Sequence, residues 1–171
     1  MADPAASIAA LNDALLGGDS ATSTLEQWCE ARGLVVPARV VAQRLPGPAR
    51  QPDAARRRRL RISKHEPVRY RRVLLRCGPL LLCRAENWYV PGRLPARMNG
   101  LLGRTLQPFG RIVRPLGFRR RTLSADILPP AAGNDGTPRR PILRHRAILT
   151  LPSGLPFCEV VETFMSDLLP R

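Results

Sequence analysis

Two strand-length segments, residues 68–77 and 80–90, face each other across Gly78-Pro79. Their β-branched and aromatic content and the turn between them predict a long antiparallel hairpin. Further strands are expected over residues 119–127, 142–151 and 157–164, the last two joined by a turn at Ser153-Gly154. Residues 34–45 are rich in Val and predict another strand before Pro46, Pro48 and Pro52 break the chain, and residues 60–63 read as strand-like. The spacing of Ile8, Leu11, Leu15 and Leu16 predicts a helix stopped by Gly17-Gly18, and a second starts at Ser23 or Thr24 and ends at Gly33. Residues 1–33 thus form an N-terminal helical cover. Residues 95–102 are helical in character, Pro108-Phe109-Gly110 reads as a turn, and residues 129–141 read as a loop. The result is an α+β chain built on an antiparallel meander.

At 171 residues this is one domain, 1–171, large enough to bury a single core. No apolar run approaches the roughly 18 residues that cross a bilayer, and the first twenty residues lack the pattern of a secretory signal. Cys29, Cys77, Cys83 and Cys158 are too dispersed for a disulfide framework or a zinc site and read as buried thiols of a cytoplasmic protein. Net charge is +15, carried almost wholly by arginine, which draws anions in general: phosphate backbones, anionic lipids or small acids. Arg56 to Arg59 close a Pro/Arg-rich loop over residues 46–59 and read as a solvated run.

Alternation along the strands singles out a few polar residues. Arg71 shares its side with Val73, Leu75 and Cys77, an inward position that needs an acid or an anionic ligand as partner. Glu159 and Glu162 are three apart and point to opposite faces, so at most one faces a shared cavity. Periodicity alone does not choose between them. A carboxylate among apolar side chains holds its proton more tightly, which suits general acid or base work. Arg144, His145 and Arg146 lie on the preceding strand, with His145 on the side of Leu143, Ala147 and Leu149 as a core residue. With two histidines and no carboxylate at ligand spacing, no metal site is expected, and neither a Gly-rich phosphate loop nor a nucleophile elbow is present.

The order of Val68-Arg69-Tyr70-Arg71-Arg72-Val73-Leu74-Leu75, Tyr89-Val90-Pro91, Leu102-Gly103-Arg104-Thr105, Pro108-Phe109-Gly110-Arg111, Arg144-His145-Arg146, Ser153-Gly154 and Val161-Glu162-Thr163-Phe164 resembles bacterial chorismate pyruvate-lyases. The resemblance spans roughly residues 60 to 165, with Ala85-Glu86-Asn87-Trp88-Tyr89-Val90-Pro91 marking a divergent branch. It implies an antiparallel six-stranded sheet with helical flaps over an internal ligand site. It also implies elimination of pyruvate from chorismate to give 4-hydroxybenzoate, a step that feeds ubiquinone biosynthesis, with no cofactor. By position, Arg71 matches a family arginine that binds a substrate carboxylate, and Glu162 matches the family glutamate near the C-terminus, with Glu159 as the alternative registration. Phe109 replaces a leucine whose backbone contributes to the site. Glu86-Asn87 falls where the better-known lyases have Gly-Arg, so that Glu86 either serves the reaction or pairs with Arg71.

The expectation is therefore a lyase acting on a dianionic small molecule, with Arg71 and Arg146 binding carboxylates, Phe109 and Glu86 lining the site and Glu162 moving the proton. Two rivals stand beside it. One is a non-catalytic module of the same fold binding an aromatic carboxylate, as in effector-sensing domains of transcription regulators. The other is a nucleic-acid-binding protein using the arginine runs, which no recognised motif supports.

Overall fold

The computed structural model describes residues 3–129 and 139–170. The expected hairpin is its centre: β2 (Arg69–Cys77) and β3 (Leu80–Tyr89) pair antiparallel from Arg69 against Tyr89 to Cys77 against Leu80. Gly78 sits at φ +53°, the left-handed conformation that a tight reversal demands and glycine adopts without strain. With β1 (Val40–Arg44), β4 (Arg119–Ile127), β5 (Pro141–Thr150) and β6 (Pro156–Met165), these strands form one six-stranded sheet in the order β1-β2-β3-β6-β5-β4, with every neighbouring pair antiparallel. This is the expected chorismate lyase-like, α+β architecture.

Strand alternation divides the sheet into two unlike faces. One carries Ala42, Val73, Leu75, Cys83, Ala85, Leu143 and Phe164 and is closed by α1 (Pro4–Gly17) and α2 (Ala21–Ala31), which add Leu11, Leu15, Leu25 and Trp28 to the main core. Ser20 caps α2, its hydroxyl accepting the N–H of Ser23 at 3.2 Å, so the helix starts ahead of the Ser23 or Thr24 cap that the sequence suggests. Trp28 donates its indole N–H to the carbonyl of Leu168 at 2.8 Å and ties this cover to the end of the chain. Farther along the same face, α4 (Ala96–Arg104) and α5 (Phe109–Val113) bring Leu102, Phe109 and Ile112 against Tyr89, Leu149 and Phe157.

The other face departs from expectation. Residues 54–59, expected within a solvated loop, form the short helix α3 (Ala54–Arg59), and Leu60 is fully buried rather than part of a strand. The cause is a buried acid. Glu159 of β6, wholly inaccessible, receives Arg56 Nε at 3.1 Å and Arg59 at 2.9 and 3.0 Å. Asp53 caps the helix by accepting the Arg56 N–H at 2.7 Å, and the Arg56 guanidinium lies 3.6 Å from the ring centre of Trp88. Half of the four-arginine run is thus paired with a buried acid rather than left in solvent. Pro108-Phe109-Gly110 opens α5 instead of only turning the chain, because proline suits the position just before a helix.

Candidate functional site

Under α2 and α5 the helix-covered face does not close completely. Val73 and Leu75 of β2, Ala85 and Asn87 of β3, and Val160 and Glu162 of β6 form the floor of a cavity there. Ser20 to Thr22, Pro108 to Gly110 and Phe118 form its roof, and Leu149 and Arg120 its far wall. Space open to water centres amounts to ≈ 40 Å³, enough for a few water molecules. The two roof segments touch: a Cβ on Gly110 would stand 3.4 Å from the Thr22 hydroxyl. Ala21 and Thr22 belong to the first turn of α2, whose backbone N–H groups lack intrahelical partners and give this wall a positive end.

Arg71 lies on the same face, one alternation along β2 from Val73 and directly across from Asn87. Its side chain is 2 % exposed. Nη2 donates to the carbonyl of Gln107 at 3.0 Å, whereas Nε and Nη1 are buried without a hydrogen-bond partner. Burial, with Arg44 nearby, pulls its pKa down to about 10, so the group is still a cation at neutral pH. The carbonyl oxygen of the Asn87 amide is likewise buried without a donor, its NH₂ touching only the Cys158 sulfur at 3.8 Å. Asn87 lines the cavity and Arg71, its register partner on β2, lies just outside that lining; two unsatisfied buried polar side chains on paired positions are uncommon, because each costs about 1–3 kcal/mol.

Glu162 lines the cavity, whereas Glu159 points to the opposite face of the sheet. The Glu162 carboxylate is nevertheless engaged: Arg120 Nη2 donates to Glu162 Oε2 at 2.6 Å, with both side chains under one-tenth exposed. Beside it on β5, His145 is fully buried with Nε2 2.8 Å from Asn12 Oδ1 of α1, a contact that places the ring proton on Nε2. Nδ1 has no partner, and burial lowers the ring's affinity for a second proton. His145 is the core residue anticipated. Phe109 lines the roof, stacked 6.4 Å from Phe157 and tilted 5.5 Å from Tyr89.

Arg146 and Glu86 do not join this site. Register places Arg146 opposite Val161 and Glu86 opposite both Arg72 and Val161, on the face away from the cavity. Arg146 is about half exposed and 3.9 Å from Glu159, and Glu86 accepts from Arg50 at 3.0 Å and from the Tyr70 hydroxyl, whose pKa burial and this bond hold up at about 12. Neither approaches Arg71, because residues an odd number of positions apart on a strand, or facing across an odd register step, diverge. The residues missed by sequence are Arg120 and Asn87. Arg120 is the middle of Arg119-Arg120-Arg121, where no hydrophobic alternation marks which arginine turns inward, and the β4–β5 register alone settles it.

No protein-family model matches the chain. It is 40 % identical over 174 residues to the uncharacterized protein y4mC of Sinorhizobium fredii, across 93 % of this chain and 73 % of that protein. Among solved structures, PhnF from Mycobacterium smegmatis superposes with TM-score 0.64 at 15 % identity over 91 % of this chain and 67 % of that one. The effector domain of the same protein gives 0.62 at 14 % identity over 87 % and 90 %. The ligand-binding domain of a putative GntR-family transcriptional regulator from Bordetella bronchiseptica gives 0.51 at 18 % identity over 75 % and 84 %. These likenesses place the fold among effector and ligand-binding domains, and the expected pyruvate-lyase activity is corrected accordingly. The geometry agrees, since the carboxylate assigned to proton transfer is locked to Arg120, and Arg146 and Glu86 are on the wrong face.

Proposed function

The chain belongs to the family of the uncharacterized protein y4mC of Sinorhizobium fredii, and from that starting point we propose that it is a non-catalytic module binding a small organic anion in the cavity beneath α2 and α5. The observation that carries this reading is Arg71, a buried cation whose Nε and Nη1 are left unanswered, across the β2–β3 pairing from Asn87, whose unanswered amide oxygen belongs to a side chain lining the cavity. A carboxylate or phosphate oxygen satisfies the guanidinium, and a hydroxyl on the same ligand satisfies Asn87. The apolar floor and the rings of Phe109 and Phe118 suit a ring-bearing body, so an aromatic carboxylate is the class favoured. A second anionic group would compete with Glu162 for Arg120 on the opposite wall, roughly 10 Å or two strand spacings from the Arg71 side.

A ring does not fit in the present space, so binding parts Ser20 to Thr22 and Pro108 to Gly110 from the sheet. The test is a thermal-shift and calorimetric titration against benzoate, 4-hydroxybenzoate, chorismate and inorganic phosphate. At least one ring-bearing carboxylate is expected to raise Tm, by the mass-action stabilisation of about 2.7 kcal/mol at a hundredfold excess over Kd. Arg71→Met is expected to abolish the shift. If no member of the panel binds at millimolar concentration, or if Arg71→Met binds equally well, the proposal fails.

A further inference from the structure

The sheet face away from the cavity is only half covered. α3 and the chain after it, through Leu60 and Ile62, close one part over Trp88 and Ile148. Beyond that cover the face is lined with arginine. Register puts Arg72 and Arg76 of β2, Arg84 of β3, Arg144 and Arg146 of β5 and Arg121 of β4 on this one side. Arg84, Arg121, Arg144 and Arg146 are exposed. Three acids share the face. Glu159 is held by Arg56 and Arg59 at 3.1 and 2.9 Å, with Arg146 farther out at 3.9 Å, Glu86 is held by Arg50 and Tyr70, and Asp126 stands opposite Arg144 in the register, with no ion pair within 4 Å between them among the described residues.

We propose that this face docks the phosphate backbone of duplex nucleic acid without regard to base sequence. Arg84 and Arg144 flank Thr163 of β6, two strand spacings or roughly 9.6 Å apart, while Arg144 and Arg146 are two residues apart on one strand, roughly 6.8 Å. At those separations each guanidinium fork engages its own phosphate. The net charge of +15 adds long-range attraction to a polyanion. A single strand is less well matched, because stacking needs exposed rings and both aromatics of this face are occupied. Trp88 lies under Arg56 and donates to the Arg50 carbonyl at 3.0 Å, and Tyr70 is tilted against Trp88. A lipid surface is also less well matched, since the side chains between these arginines are Thr163 and the half-buried Val161, with nothing to insert among acyl chains.

The experiment is fluorescence-anisotropy binding of the full chain to a short mixed-sequence DNA duplex over a series of salt concentrations. The logarithm of the affinity is expected to fall linearly with the logarithm of salt, by about 0.9 per phosphate neutralised. Combining Arg84→Gln, Arg144→Gln and Arg146→Gln is expected to reduce that slope by about 2.7, and each single substitution by about 0.9, so the singles carry the test if the triple variant does not fold. A control with the same loss of charge, Arg39→Gln with Arg97→Gln and Arg104→Gln, removes exposed arginines outside this face and is expected to leave the slope within about one contact of the parent. No duplex binding at low salt, an unchanged slope in the face variants, an equal fall in the control, or tighter binding to phosphatidylserine vesicles than to the duplex would each overturn the proposal. Arg71 and Glu162 are untouched by every variant, so loss of duplex binding is read independently of the cavity.

Discussion

Arg120 of β4 reaches past β5 to meet Glu162 of β6 at 2.6 Å inside the cavity wall, although the two residues are 42 positions apart in the chain. Their side chains are 9 % and 7 % exposed, so each charge depends on the other for compensation. Arg120→Met strands a buried carboxylate and is expected to cost about 3–5 kcal/mol in urea unfolding. Adding Glu162→Gln to it is expected to recover most of that loss. Additive losses in the double mutant would show that the two groups do not act as a pair.

Arg71 carries the opposite expectation. With Nε and Nη1 buried and unanswered, it lowers stability in the unliganded protein. Arg71→Met keeps an unbranched apolar stem and is expected to raise stability by about 1–2 kcal/mol, read as a higher Tm, while removing anion binding. A lower Tm would mean that the Gln107 contact outweighs the two missing partners.

On the far side of the sheet, Glu159 holds α3 in place through Arg56 and Arg59. Glu159→Ala leaves those two cations facing each other over Trp88 and is expected to cost about 3 kcal/mol or more. Native-state hydrogen exchange should show α3 losing protection first, ahead of β2 and β3. Uniform loss across the sheet would indicate that the helix is not a separable unit.

His145 sets a pH dependence. Burial depresses its folded-state pKa below the ordinary value of 6.5, so between the two values the unfolded chain binds the extra proton and the folded chain does not. Stability therefore rises with pH through the region just below 6.5 and is lost on acidification. The charges facing the ring are Glu162, Arg120 and Asp126, with Asn12 bonded to Nε2, so the acid-side proton lands on the partnerless Nδ1. His145→Gln is expected to flatten the Tm-against-pH curve in the region just below pH 6.5. Glu66, whose carboxyl the Arg93 guanidinium holds below its usual value, adds stability that is lost as pH falls below about 4.5.

The sheet was legible in the sequence because its strands are long, apolar on one side and bounded by Gly and Pro, and all but the first match the expected bounds to within a residue or two. The first begins only at Val40, since residues before it meet no partner strand until Cys77. α3 was not legible: six residues with four arginines have no apolar stripe, and what holds them is a tertiary ion pair to a residue about a hundred positions away. The same limit applied to the cavity. Alternation identified Arg71 and offered Glu162 with Glu159, but placing Arg146 and Glu86 required knowing which strand faces which. Sequence order and composition carry no record of that register.

β6 supplies Glu162 to one face and Glu159 to the other, and both are buried in opposite chemical settings. That arrangement bears on how such a chain changes over generations. A single-residue insertion or deletion in the turn around Ser153-Gly154 that slid β6 by one step would bring either Cys158 and Val161 or Val160 and Thr163 onto the positions of Glu159 and Glu162 and strand both carboxylates among unmatched neighbours. Length changes in that turn are thus tolerable only where they leave the parity of β6 intact.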